Sequence, residues 1–216
     1  MIPGSKLPQT GTTIFTVMSA LAAELGAINL SQGYPDYDCD PRLTSLVNNA
    51  MNSGFNQYAP MAGWMPLREE IARKTEKLYG AVYNPDTEIT ITSGGTQAIF
   101  TAICATINPN DEVIVFEPAY DCYAPAIKLM GGTVKSLELE PPDYRIAWEM
   151  VKRLVSNRTR MIILNTPHNP TATILSKEDI DELAAIVKNR DILILSDEVY
   201  EHLIFDEDTH HSMARY

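Results

Sequence analysis

Residues 191–200 read Asp-Ile-Leu-Ile-Leu-Ser-Asp-Glu-Val-Tyr. Ile192 to Leu195 is a continuous apolar run, the pattern of a strand buried on both faces in a parallel sheet. The character then changes at once, with Ser196, Asp197 and Glu198 coming next and no turn residue between. Open α/β sheets bind ligands outside the carboxyl ends of their strands, so a carboxylate at this place is a candidate ligand contact. Taken alone, the stretch is explained equally well by Asp197 or Glu198 capping a helix after it.

Working upstream, four more runs read as strands: Glu88–Thr92, Glu112–Phe116, Thr133–Leu139 and Arg160–Leu164. Helical patterns lie between them. Gln97–Ile107 is apolar on all sides, which predicts a buried helix. Tyr123–Met130 and Trp148–Val155 are shorter. Ser176, with Asp179 three residues on, caps a helix running to about Lys188. This alternation predicts a doubly wound α/β fold with a mostly parallel sheet and helices on both faces.

The N-terminal part is different. Met1–Thr13 carries Pro3, Gly4, Pro8 and Gly11 and reads as an extended arm. An amphipathic helix starts at Ile14 and closes at Gly26. Ala27–Leu30 is a short strand candidate, and residues 31–36 form a turn in which Gly33 could let a ligand approach the backbone. Pro41–Asn52 and Pro66–Tyr79 read as helices, the second stopped by Gly80. There is no sharp linker, and the best boundary falls near residue 40.

Bulk properties narrow the function. The 216 residues are 45% hydrophobic and 21% charged, a normal globular balance. A net charge of −11 with no basic block argues against nucleic acid. Three widely spaced cysteines, Cys39, Cys104 and Cys122, argue against a disulfide framework and for a reducing compartment, the cytoplasm. No apolar run approaches the ~20 residues of a membrane span. Ile14–Ala23, which contains Thr16 and Ser19 and comes after the single Lys6, reads as an amphipathic helix rather than a signal core.

The strand ends carry the informative pattern. Ser93-Gly94-Gly95-Thr96 comes after the first strand, Glu117-Pro118-Ala119-Tyr120 after the second, Asn165-Thr166-Pro167-His168-Asn169-Pro170 after the fourth, and Ser196-Asp197-Glu198-Val199-Tyr200 after the fifth. A parallel sheet brings these ends to one edge. Gly95 and Thr96 at a helix N-terminus suit a phosphate. Tyr120 can stack on a flat ring, Asn169 can donate to a phenolate-type oxygen, and Asp197 can hold a ring nitrogen protonated. Each feature alone is an ordinary turn, packing or capping residue. Their conjunction describes a phosphorylated pyridine, and pyridoxal phosphate fits.

The segments 165–171 and 196–200 resemble the signature segments of class I/II aminotransferases of fold type I. Ser31-Gln32-Gly33-Tyr34-Pro35-Asp36, Gln57-Tyr58-Ala59-Pro60 and Glu117-Pro118-Ala119-Tyr120-Asp121 match the same family. Leu7-Pro8-Gln9 with Gly11-Thr12-Thr13-Ile14-Phe15 is similar to the branch holding bacterial methionine aminotransferases and kynurenine aminotransferase-like enzymes.

The resemblance implies that Gly95 and Thr96 hold the phosphate of pyridoxal 5′-phosphate and that Tyr120 stacks on its ring. It implies that Asn169 and Tyr200 contact the ring hydroxyl, Asn169 also lying near the substrate carboxylate, and that Asp197 pairs with the ring nitrogen. Gly33 would offer its N–H to the substrate carboxylate. Tyr58 would reach the phosphate of the partner subunit in a homodimer. Ile14, Phe15 and Tyr34 would lie near the substrate side chain. Ala172 departs from the family's usual glycine, beyond the contact residue. Residues 1–40 would form the arm and part of a small domain, and 41–216 the first part of the cofactor-binding large domain.

The implied reaction moves an amino group from an amino acid, methionine or aromatic preferred, to a 2-oxo acid. The family's Schiff-base lysine sits in a Ser-x-x-Lys segment on a later strand. No serine here fits, since Ser196 has Val199 at the third place after it and Ser212 has Arg215. The resemblance therefore implies the N-terminal part of such an enzyme, with the large domain incomplete at its C-terminus and no catalytic residue of its own. Alternatives are a non-catalytic cofactor-binding fragment and another fold type I enzyme such as a C–S lyase. A nucleotide-binding oxidoreductase would need Gly-x-Gly-x-x-Gly after the first strand, and Ser93-Gly94-Gly95-Thr96 does not supply it. His202, His210 and His211 read as surface residues rather than a metal site, and Glu198 as a structural carboxylate.

Overall fold

Three helices precede the first strand in the computed structural model, which describes residues 4–8, 10–31, 33, 37–206 and 208–216. Helix α1 (Ile14–Glu24) starts where the Thr13 hydroxyl accepts from the Thr16 N–H. Helix α2 (Pro41–Asn52) starts where Asp40 accepts from the Arg42 N–H at 2.8 Å. Helix α3 (Met65–Tyr79) ends at Gly80, whose φ of 71° is open to glycine at little cost.

The remaining elements alternate. Helix α4 spans Gly95–Thr106, strand β1 Glu112–Glu117, helix α5 Tyr123–Leu129 and strand β2 Thr133–Glu138. Helix α6 spans Trp148–Leu154, strand β3 Thr159–Asn165, helix α7 Lys177–Val187 and strand β4 Leu193–Asp197. A single 3₁₀ turn closes the series at Met213–Arg215. The strands pair in the order β2-β1-β3-β4, every pair parallel. This is the doubly wound α/β architecture that the alternating pattern predicts.

Alternation along the strands sorts the core onto two faces. Val113 and Val115 of β1 point to one side, where they pack with Ile99 and Ile103 of α4 and Tyr123 and Ile127 of α5. Ile114 and Phe116 point to the other, against Trp148 and Val151 of α6 and Leu183 and Ile186 of α7. Helices thus cover both faces of β1 and β3. Asp179 ties the second layer together: it completes the capping box with Ser176 and accepts from the Trp148 indole N–H at 2.8 Å.

Four expectations are corrected. Glu88–Thr92 is not a strand among the described elements. Its backbone bonds go elsewhere: Ile91 N–H donates to Ala62 at 3.0 Å, and the buried Arg68 guanidinium donates to the carbonyls of Asp86 and Ile89. Gly63 permits that approach, because a β-carbon there would collide with the Ile91 side chain. Ala27–Leu30 is not a strand either. Ala27 N–H closes α1 on Ala22, and the Asn29 side chain binds Ser19 and Ser31.

The third and fourth corrections concern burial. Strand β4 lies at the sheet edge in residues 1–216, and Leu193 is 39% exposed rather than covered on both sides. Helix α4, apolar all round, buries only Ile99 and Ile103, and Phe100 is 41% exposed. The chain exposes 15153 Å², whereas a compact monomer of this mass is expected to expose roughly 9,900 Å². Residues 1–216 thus carry apolar surface that they do not themselves cover. Among the described residues no helix is long and apolar enough to cross a membrane.

Candidate active site

Strands β3 and β4 run in register, with Asn165 opposite Asp197 at their carboxyl ends. The loop after β3 is latched onto the end of β4. The Thr166 N–H and the Asn165 amide both donate to the Asp197 carbonyl, at 3.0 and 2.9 Å. The Asn165 side-chain oxygen, Oδ1, in turn accepts from the Asn169 N–H at 2.7 Å. These bonds place Asn169 beside Asp197 although 28 residues separate them in sequence (197 − 169 = 28).

Helix α4 points its N-terminus at the same place. Its cap is Gly94, at φ 83° and with no side chain to offer a capping oxygen. The first N–H groups of a helix have no partner inside it, so those of Gly95 and Thr96 remain available to an anion. A β-carbon built on Gly95 would meet no protein atom within 4 Å, so the space before the helix is open. Tyr120 reaches this space from the loop after β1, and Tyr200 from the loop after β4.

A cavity of about 150 Å³ results. Gly95, Thr96, Tyr120, Asn169, Asp197 and Tyr200, the six expected cofactor contacts within one subunit, all line it. Its lining suits a phosphorylated pyridine: N–H groups at a helix N-terminus, a carboxylate and aromatic rings.

The motif reading gives two further residues of the site no role. Tyr123, three residues after Tyr120 at the start of α5, donates its hydroxyl to Asp197 Oδ2 at 2.6 Å. It is 3% exposed. Burial, and after it the hydrogen bond to Asp197, pushes its phenol pKa far up, so the group stays a neutral donor. Asn165 is the second, through the bonds above. The signals available were the spacing from Tyr120 and the place of Asn165 as the last residue of its strand.

Other expected residues lie elsewhere. Tyr58 is fully exposed and does not line the cavity. Gly33 is exposed with open space around it. Ile14 is exposed, Phe15 is half-buried, and neither lines the cavity. Gln9, Gln32, Tyr34, Pro35 and Asp36 lie outside the described residues.

His210 is also corrected. Its side chain is 5% exposed, and Nε2 lies 2.8 Å from Glu198 Oε2. Glu198 Oε1 accepts from the Ser196 hydroxyl at 2.7 Å and the Met213 N–H at 2.8 Å. Burial alone would raise the Glu198 pKa. Hydrogen bonds from His210, Ser196, Ser212 and Met213 outweigh it and hold the carboxylate below its usual range. Glu198 is thus the clasp that fixes the segment after β4, one residue beyond Asp197. Among the described residues no three His, Cys, Asp or Glu side chains group as a metal site.

A larger cavity of about 370 Å³ shares Asn165 with the smaller one and is also lined by Tyr123. Its wall includes Phe116, Leu139, Leu175 and Phe205. Gly95 and Thr96 at the start of α4 and the strand-end carboxylate Asp197 line the smaller cavity and not this one. Chemistry rather than size selects the smaller one.

Comparisons with known proteins bear on the family and the fold. Residues 26–216 match the family described as Aminotransferase class I and II. The chain is 51% identical over 213 residues to the methionine aminotransferase of Escherichia coli strain K12, covering 99% of this chain and 55% of that protein. It is 36% identical over 190 residues to aromatic-amino-acid aminotransferase 2 of Thermococcus litoralis, covering 88% of this chain and 49% of that protein. A crystal structure of an Escherichia coli protein with a methionine aminotransferase function superposes with a TM-score of 0.97 at 50% identity. That match covers 100% of this chain and 56% of the other. The chain therefore spans about half the length of the curated relatives it matches. On the family match over residues 26–216 and a 0.97 structural likeness, the chain belongs to the class I and II aminotransferases.

Proposed function

We propose that the complete protein containing residues 1–216 is a pyridoxal-phosphate-dependent aminotransferase. It moves the amino group of an amino acid, methionine or an aromatic one preferred, to a 2-oxo acid. The observation that carries this reading is the convergence of Gly95, Thr96, Tyr120, Asn169, Asp197 and Tyr200 on one cavity at the strand ends.

Each residue has a task set by its chemistry. The α4 N-terminus at Gly95 and Thr96 binds the cofactor's phosphate through backbone N–H groups and the helix dipole. Tyr120 covers one face of the ring. Asn169 and Tyr200 bind the ring hydroxyl, and Asp197 keeps the ring nitrogen protonated through a charge-assisted bond. When bound, the cofactor supplies an electron sink for the carbanion at the substrate α-carbon.

Tyr58 acts across a homodimer interface in this reading. Its full exposure and its absence from the lining of its own cavity support that role, as does the apolar surface left uncovered on α4. Gly33 binds the substrate carboxylate through its N–H. Residues 1–40 belong to the arm and the small domain, and 41–216 to the large domain. The reducing compartment suggested by the three unpaired cysteines is the cytoplasm.

A second reading, cofactor binding without chemistry, is favoured for residues 1–216 taken alone. No lysine stands among the residues lining the cavity.

A substrate panel on the complete protein tests the function. Methionine, phenylalanine or tyrosine is expected to turn over faster than aspartate, with the 2-oxo acid of the donor as product. A panel that ranks aspartate first overturns the preference. Release of a thiol or of ammonia in place of amino transfer overturns the reaction class.

A further inference from the structure

Tyr123 touches both halves of the site. Its hydroxyl donates to Asp197 Oδ2 at 2.6 Å, short as hydrogen bonds to a carboxylate are. Its ring meets Tyr120 edge-on, with centroids 6.0 Å apart and planes at 70°. The ring itself is held in the core layer with Ile99, Ile103 and Ile127. Among the described residues the Asp197 carboxylate has one other bond, from the Val199 N–H to Oδ1 at 3.3 Å. A carboxylate offers about four acceptor positions, so these two bonds leave capacity for a third donor.

We propose that Tyr123 is a positioning residue for the cofactor ring: it fixes the carboxylate that meets the ring edge and the tyrosine that meets the ring face. The inference rests on reading the cavity as a pyridoxal phosphate site. A carboxylate without this bond can rotate about its side-chain torsion, which is broad and weakly restricted. The Val199 N–H at 3.3 Å is a weaker restraint. Tyr123 is the firmer one, because its own ring cannot move without disturbing the packed layer. One rigid side chain thereby couples two contacts supplied by separate strand ends.

Two substitutions separate the two contacts. Tyr123→Phe keeps the ring against Tyr120 and removes only the hydroxyl. Tyr123→Leu removes both. The experiment titrates the complete apo-protein with pyridoxal 5′-phosphate, monitored by fluorescence quenching, for the parent and these variants. The Phe and parent proteins are then compared again in an Asp197→Ala background.

Tyr123→Phe should weaken cofactor affinity about tenfold, the effect of one bond to a charged group, and Tyr123→Leu should weaken it further. With Asp197→Ala present, Tyr123→Phe should change the affinity by less than about twofold, because the hydroxyl then has no carboxylate to hold. A general packing effect would cost the same factor in both backgrounds, and that result overturns the inference. Unchanged affinity in the single Phe variant overturns it as well, while leaving the proposed function standing. Absence of binding by the parent and by every variant overturns the proposed function, and with it any role of Tyr123 toward the cofactor.

Discussion

Asparagine in place of Asp197 is expected to lower transamination by the complete protein at least tenfold, with the fold intact. Asp197 ends a strand and lines the same cavity as the helix N-terminus that suits a phosphate. An asparagine there cannot hold a ring nitrogen protonated, because it carries no charge to stabilise the pyridinium. Loss of one such interaction costs at least about 1.4 kcal/mol of transition-state stabilisation, a factor of ten. Structurally the change is mild. The asparagine carbonyl can still accept from Tyr123 in place of Oδ2, and the amide then faces the Val199 N–H, the longer contact at 3.3 Å. The stability cost should stay near about 1 kcal/mol. Initial rates at saturating cofactor, with circular dichroism as the control, check this. A variant within about twofold of the parent rate removes Asp197 from its role.

Residues 1–216 expressed by themselves are expected to be inactive and poorly behaved. Chemically, no lysine lines the cavity. Lys177 and Lys188 bracket α7, which connects two strands, and Lys177 is engaged with Asp181 on the helix surface. Structurally, β4 is an edge strand with free backbone groups on one side, and the apolar α4 leaves Phe100 open to water. Long edges and exposed apolar faces promote association. Gel filtration, thermal unfolding and an assay of methionine with a 2-oxo acid and added cofactor test both halves. A monomer with cooperative unfolding contradicts the structural half, and sustained turnover contradicts the chemical half.

The alternation of strand and helix is legible in the sequence because it rests on local periodicity. The continuous runs of β1 and β3, and caps such as Ser176 with Asp179, are set by neighbours along the chain. Glu88–Thr92 misleads for the opposite reason. A β-type composition makes a strand only where a ladder partner exists, and Arg68 and Ala62 take its backbone bonds instead. The exposure of β4 and α4 is not legible, because apolar character shows that a face wants cover, not where the cover comes from.

At the site, the strand-end rule brings together Gly95, Thr96, Tyr120, Asn169, Asp197 and Tyr200, since a parallel sheet leaves little freedom in where those ends lie. Tyr123 draws no notice in the sequence except as the first residue of a helix, because its spacing fits an apolar helix face as well as a hydrogen bond to Asp197. His210 reads as exposed because its partner, Glu198, lies twelve residues away through a loop with no periodic signal. The role of Tyr58 comes only from resemblance, that of Gly33 from a turn glycine and the resemblance together, and neither residue lines the cavity.

A crystal structure of the complete protein soaked with pyridoxal 5′-phosphate tests the central claim most directly. The expected result is a phosphate within hydrogen-bond distance of the Gly95 and Thr96 N–H groups, a ring against Tyr120 and a ring nitrogen on the Asp197 carboxylate. A cofactor seated in the larger cavity beside Phe116 and Leu175, or with its phosphate away from the α4 N-terminus, would contradict it.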